Sequence, residues 1–238
     1  MPTLNLLYKD RYEINDKVKI IIPTVGEIID DEDNYYSIVN IITAMPIDLM
    51  VQLDDAGIDF TEINEFELFV MMSAGLAEMD TSLIFDGLDL SKFTPATSPQ
   101  NGKLILYDKE NDIVIDRAIH GRIADVLRKI HHLKKNLRKP GNKAAKEYMI
   151  ERARAKLRRN KNRQQSSQLE SFIVALVNTE QYKYDFEGTR NLSIYQFNEC
   201  LMQIIKKEDY EHRMAGIYAG TIDAKDLSQD DLNWLVHK

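Results

Sequence analysis

Charged residues are sorted into blocks along this chain, and these blocks constrain how it can fold. Residues 1–116 carry 7 Lys and Arg against 23 Asp and Glu, residues 117–163 carry 17 against 3, and residues 164–238 carry 7 against 12. The net charge of −7 therefore conceals a basic middle between two acidic ends. Such a pattern favours a chain whose middle binds its own ends, another copy of itself or a separate polyanion.

Composition predicts a soluble, folded protein with one large domain or two small ones. Of the 238 residues, 44% are hydrophobic, and there are only 10 Gly and 6 Pro, as in ordinary globular chains. The single Cys200 excludes an intrachain disulfide and is typical of a reducing cytosol. The start at Met1 has no basic and apolar leader, and apolar clusters such as Ile20–Ile22 are too short to span a membrane.

The apolar pattern predicts an α+β fold, in which a small N-terminal α+β domain with two β-hairpins precedes a mostly helical C-terminal half. The first hairpin joins Tyr12–Ile14 to Lys17–Ile22 and is ended by Pro23. The second joins Leu104–Tyr107 to Ile113–Ile115, after a loop over Pro95–Pro99. Helical periodicity between the hairpins predicts a helix capped by Asn34, then Ile47–Asp55 ending at Gly57, and Asn64–Met79.

Capping residues predict the helices of the second half. Asp116 begins a helix that runs to about Leu137, and a second helix spans Lys143–Asn160. Capping boxes at Ser167 and Ser193 open Leu169–Asn178 and a long helix that reaches Tyr218, and Ser228 opens a short last helix. We therefore predict an acidic α+β domain over residues 1–116, a basic helical connector over 117–163 and a helical C-terminal domain over 164–238.

The sequence contains no pattern that is typical of catalysis or cofactor binding. The glycine motifs of nucleotide-binding and hydrolase sites are absent. His131 and His132 are adjacent, so on a helix they point in different directions and cannot share a metal ion. The acidic run Asp30–Asp33 lacks the spacing of a calcium loop, and Cys200 falls near an apolar helical stripe, where a buried thiol is expected. We predict no enzyme, no catalytic residue, no cofactor site and no metal site.

The basic block is the strongest candidate for partner binding. Three interpretations are open: a nucleic-acid arm, a solvated linker, and an arm that docks on an acidic surface of this chain or of a partner. The acidic remainder of the chain and the single aromatic Tyr148 favour a linker or a protein-docking arm over a nucleic-acid arm. The candidate partner-binding residues are Arg152, Arg154, Lys156, Arg158, Arg159, Lys161 and Arg163.

Several segments resemble a family of bacteriophage proteins. Those segments are KVKIIIPTVGEI (17–28), NYYSIVNIITAMPIDLMVQLDDAGIDFTEI (34–63), SLIFDGLDLSKF (82–93) and a C-terminal stretch, Asn191–Leu235, that begins NLSIYQFNECLMQIIKKEDYEHRMAGIYAGTID. They are similar to proteins encoded among the tail genes of tailed bacteriophages of Gram-positive hosts. The resemblance implies a tail or baseplate morphogenesis protein, either an assembly chaperone or a minor tail component, and it supplies no catalytic residue.

Together these features predict a non-enzymatic phage tail assembly protein that binds other phage tail or baseplate proteins, or itself. The alternative is a nucleic-acid-binding protein that uses the basic segment 117–163. The expected location is the host cytoplasm, with incorporation in the virion tail if the protein is a structural component. We expect no cofactor and no membrane partner.

Overall fold

A computed structural model of the chain describes residues 5–160, 167–228 and 231–235. Within these residues the N-terminal half combines helices with two small antiparallel sheets, and the C-terminal half is helical, so the predicted α+β class is confirmed. The helices are α1 (Val25–Ile29), α2 (Glu32–Thr43), α3 (Met50–Asp55), α4 (Glu65–Leu76), α5 (Arg117–Ile130), α6 (Lys143–Asn160), α7 (Gln168–Val177), α8 (Phe186–Arg190) and α9 (Ile194–Tyr218). Short 3-10 turns lie at Pro46–Leu49, Leu90–Lys92 and Ala224–Asp226.

The first predicted hairpin is present. Strands β1 (Arg11–Glu13) and β2 (Lys19–Ile21) pair antiparallel, with Arg11 opposite Ile21. The side chain of Asn15 forms the turn by accepting hydrogen bonds from the amides of Lys17 and Val18, at 2.9 and 2.8 Å. The alternating side chains of Val18, Ile20 and Ile22 are buried, as period-two patterning requires.

The second sheet has one strand more than predicted. Strands β3 (Thr94–Thr97), β4 (Leu104–Asp108) and β5 (Ile113–Ile115) form an antiparallel sheet in that order. The prediction of a loop over Pro95–Pro99 was therefore wrong for its first residues. Pro95 is tolerated because β3 is an edge strand, where a residue without an amide hydrogen need not disturb the sheet.

The helical caps agree with the sequence more closely than the helix ends do. Asp116, Ser167 and Ser193 each accept the capping hydrogen bond that was predicted, and Asn64, which was predicted only as the first residue of its helix, also accepts one. In contrast, α2 begins before Asn34, with Asp31 at the N-cap position, and the side-chain amide of Asn34 donates to the Asp31 carboxylate at 2.8 Å. The short helices α1 and α8 were not predicted.

Two predicted helices depart furthest from the structure. The helix from Asp116 was expected to reach Leu137, but α5 stops at Ile130. His132 has a φ of 52°, and the amide of Leu133 closes the helix end on the carbonyl of Arg128 at 2.9 Å. The last predicted helix is also wrong for its described part, because residues 231–235 form turns; Gln229 and Asp230 lie outside the described residues.

One hydrophobic core joins the two halves of the molecule. Side chains of α2, α4 and α5 pack in the same buried cluster as Leu169, Ile194 and Phe197 from the C-terminal half. Backbone hydrogen bonds also cross between the halves, from Val25 to the carbonyl of Leu192 and from Ile194 to that of Pro23. The division at residues 116 and 163 therefore stays a prediction, and any such boundaries lie between segments that share a core.

None of the described helices is, by itself, long and apolar enough to cross a bilayer. The α2 helix and the Pro46–Asp55 segment pass together on length and composition, but they are bent by 119° relative to each other.

Candidate functional site

The predicted partner-binding residues lie on α6 or beyond its end. Arg154 contacts the N-terminal half, with its two terminal nitrogens 2.8 Å from Asp54 Oδ2 and 2.6 Å from Asp55 Oδ1. Lys161 and Arg163 lie outside the described residues. The remaining residues of the set are exposed on α6, namely Arg152, Lys156, Arg158 and Arg159. The structure thus separates one docked cation from four exposed ones.

The α6 helix is held against α3 by apolar and ionic contacts. Ile150 is buried in a second apolar cluster with Leu53 and Phe60. One turn before it, Lys146 Nζ lies 2.5 Å from Asp59 Oδ2. The hydrogen bond from Lys146, helped by those from Thr61, lowers the pKa of Asp59 to about 2. The basic helix therefore lies along an acidic edge of its own chain.

A non-helical segment, residues 131–142, connects α5 to α6 and is called the strap below. Near its start, Lys135 lies 3.4 Å from Glu65 and 3.1 Å from Asp125. The side-chain amide of Asn136 then donates to Asp48 at 3.0 Å. These contacts hold the strap across the region between α3 and α4.

A buried arginine lies beneath the strap. The Arg128 side chain is only 6% exposed, and it donates to the carbonyl of Thr43 at 2.6 Å. It also pairs with Glu65 and, at 3.3 Å, with Asp125. Since a buried charge must be paired to be tolerated, this network fixes α5 against α2 and α4.

The strap and the first turn of α6 form one wall of a cavity of about 830 Å³, called the basic groove. Its apolar floor comes from Met45, Pro46, Ile47, Phe60 and Ile63. Its cations come from Arg138, Lys139, Lys143 and Lys146. Among the described residues that line it, none is Asp or Glu, although the N-terminal half is strongly acidic.

A second cavity, also of about 830 Å³, lies where the two halves meet and is called the junction groove. Helices α2, α7 and α9 form its walls, and the acidic run Asp30–Asp33 lies at its edge. Phe172 and Met202 line it and are 46% and 44% exposed. On the same two helices, Val174 and Ile205 are 46% and 45% exposed. The C-terminal half therefore presents large apolar side chains to solvent on α7 and α9.

Two of the histidines, His120 and His131, serve packing. His120 lies 4.3 Å from Phe69 in a stacked arrangement, with its Nε2 3.1 Å from the carbonyl of Ile42, and burial lowers its pKa to about 4. Tyr35 Oη and His131 Nε2 are 2.9 Å apart, and burial lowers the pKa of His131 to about 3. Cys200 is half-buried beside the core, where burial raises the pKa of its thiol. In the parts of the chain that the structure describes, no group of His, Cys, Asp and Glu converges as a metal site would need.

The sequence indicated the basic helix but not the groove beside it. The floor of the basic groove comes from residues 45–63 and its cations from residues 138–146, which are far apart along the chain. The helical spacing of apolar residues ends between Lys135 and Pro140, before α6 begins. This interruption of the pattern is the signal that could have located the strap.

The comparisons with known proteins support a phage origin. Residues 160–237 match the family model of the YomV second domain. That domain is derived from a bacteriophage, and the match therefore indicates a phage protein. The matched part begins at the end of α6 and includes α7, α8 and α9. No curated protein and no solved structure matches this chain.

Proposed function

We propose that this chain is a non-enzymatic phage protein that binds other tail or baseplate proteins during tail assembly, as a chaperone or a minor structural component. The match of its C-terminal third to a phage-derived domain supports the phage context. The observation that carries a binding role is the set of exposed apolar side chains on α7 and α9. Phe172 and Met202 leave nearly half of their surface in water on either side of the junction groove.

Exposed apolar clusters of this kind mark protein interaction sites in soluble proteins, because water contact is unfavourable until a partner covers them. Aromatic residues and methionine are also enriched at protein interfaces. The junction groove adds concave shape and an acidic edge, which provides a polar rim. An interface with an apolar centre and a charged rim is the arrangement that protein partners use.

The test is co-expression of the full chain with the tail tube, tape-measure and baseplate proteins of its phage, followed by affinity capture. We expect one of these proteins to be retained, and the double substitution F172S/M202S to reduce its recovery. The matched control is Y8S/L104S, which removes two exposed apolar side chains from the N-terminal half. Failure to retain any of these proteins would contradict the proposal. Mass spectrometry of purified particles then separates a minor component, which is present, from a chaperone, which is absent.

Nucleic-acid binding is the second candidate function, and one observation favours it. The exposed cations Arg152, Lys156 and Arg159 follow one another at helical spacing on the solvent side of α6. A phosphate backbone could follow such a stripe, with an affinity that falls steeply as salt is added. Changing these three residues to Glu should then abolish DNA or RNA binding, and no binding by the unmodified protein at low salt would dismiss this function.

A further inference from the structure

The basic groove combines two features that a ligand could use together. Its floor contains the buried side chains of Ile47 and Phe60, each 5% exposed, with Met45 and Ile63 half-buried beside them. On its rim, Leu137 is 72% exposed. An apolar side chain that entered this groove would contact apolar surface on both sides, and its removal from water would favour binding.

The charged side chains that line the groove are all cations, and one of them, Lys146, is paired with Asp59. Arg138 and Lys139 are exposed on the strap, and within the described residues neither has an ion pair. Lys143 lies 3.9 Å from Glu147 on the same exposed helix face, a kind of pair that contributes little. The α6 helix begins at Lys143, and its N-terminal end adds the positive end of the helix dipole beside the groove. A ligand with carboxylates near its apolar groups would therefore match the groove.

The groove is held open by contacts that need no ligand. Asn136 fixes the strap to Asp48, and the Lys146–Asp59 pair fixes the first turns of α6 to the opposite wall. Ile150 and Arg154 hold the next turns against α3. Because these walls are already in place, binding would not have to order them, which lowers the free-energy cost of association.

We propose that the basic groove binds an acidic segment of a partner protein, with apolar side chains inserted between the strap and the 45–63 floor. This inference rests on the proposed function, since it names the chemistry of one segment of the partner. Nucleic acid fits the groove less well, because phosphates would gain nothing from Ile47, Phe60 and Leu137. The exposed stripe Arg152, Lys156 and Arg159 on α6, which lacks such a floor, is the better match for phosphates.

The test uses the full-length protein and overlapping fluorescein-labelled peptides that cover the tail and baseplate proteins of the same phage, with binding followed by fluorescence anisotropy at low salt. We expect the binding peptides to carry Asp or Glu beside Leu, Ile or Phe. The variant R138E/K139E should weaken them by about tenfold or more, as charge reversal at a complementary contact does. The matched control K103E/K109E makes the same charge change at two exposed lysines that flank β4, and binding should stay within about twofold.

Three results would overturn the proposal. The first is that no peptide binds, and the second is that peptides bind R138E/K139E as tightly as the unmodified protein. The third is that a single-stranded DNA oligonucleotide competes for the groove, while peptides without their Asp and Glu residues bind as well as the original peptides. The affinity capture described above separates this failure from failure of the proposed function. If one of these three results is obtained while the unmodified protein still captures a tail protein, the binding role stands and only the groove assignment falls.

Discussion

At the scale of single residues, the basic segment is divided between charges that stabilise the fold and charges that face water. Arg128 belongs to the first class: it is buried, and it holds the carbonyl of Thr43 together with the carboxylate of Glu65. Lys156 and Arg158 belong to the second. A count of charges treats these residues alike. However, removing a charge from water into the protein interior costs several kcal/mol, which its buried partners must offset, whereas a solvated charge carries no such cost.

Replacing Arg128 tests this distinction. In R128M the carboxylate of Glu65, itself only 18% exposed, loses its buried partner, and the carbonyl of Thr43 loses a donor. We expect the free energy of unfolding in urea to fall by about 3–5 kcal/mol. The control R122M removes an exposed arginine from the same helix and should change stability by less than about 0.5 kcal/mol. Similar losses for the two variants would show that Arg128 does not act through the buried network.

Buried histidines predict how stability depends on pH. The pKa of His120 is about 4 in the fold and that of His131 about 3, both below their ordinary value of 6.5. Unfolding lets both rings bind protons, so their contribution is complete above about pH 6.5 and is lost as the pH falls toward 4 and 3. Urea unfolding at pH 7.5 and pH 5 should show a loss of about 2 kcal/mol for each histidine.

Substitution identifies the groups responsible for this dependence. H120F keeps an aromatic ring beside Phe69 but cannot be protonated, and we expect the stability difference between the two pH values to shrink. H212Q changes an exposed histidine on α9 and should leave that difference as it is. An unchanged pH dependence in H120F would assign it to other groups.

At the scale of elements, α6 is the helix that the sequence placed best, since its predicted and observed limits are both Lys143–Asn160. The first part of the strap, up to about Leu137, was predicted as helix, and the reason for the error is tertiary. His132 adopts a left-handed conformation, and the side chains of Lys135 and Asn136 beyond it bond to Glu65 and Asp48. Helical propensity is a weak preference that such contacts override.

Reversing the charge of Arg154 should release α6 from α3. R154E places a carboxylate beside Asp54 and Asp55, so we expect hydrogen exchange of the α6 amides to accelerate by about tenfold. R158E makes the same change on the exposed part of the helix and should have an effect below about twofold. Adding D54K and D55K to R154E should restore protection, and a failure of this rescue would argue against an electrostatic role.

At the scale of the whole molecule, the shared core determines whether the halves are independent. Phe197 on α9 has none of its surface exposed, and it packs in the cluster that contains Ile38 of α2 and Ile123 of α5. The side-chain amide of Asn198 also donates to the carbonyl of Ile130 at 2.9 Å. We therefore expect damage at this contact to spread into the N-terminal half.

The substitution F197A measures that coupling. Loss of the ring should cost about 3–5 kcal/mol of the free energy of unfolding. Hydrogen exchange should accelerate in α2 and α5 as well as in α7 and α9. The control I205A lies on the same helix with a 45% exposed side chain and should affect α9 alone. If F197A accelerated exchange within residues 167–235 but not in α2 or α5, the predicted division into separate domains would gain support.

Local sequence was sufficient for the α+β class, the first hairpin, the capped starts of α5, α7 and α9 and the basic α6, because each depends on neighbouring residues: alternation, helical period and capping side chains. Tertiary structure alone decided which charges are buried, where α5 ends and that residues 45–63 meet residues 138–146 in a basic groove. These outcomes depend on contacts between distant segments, and local pattern carries no information about which segments will meet.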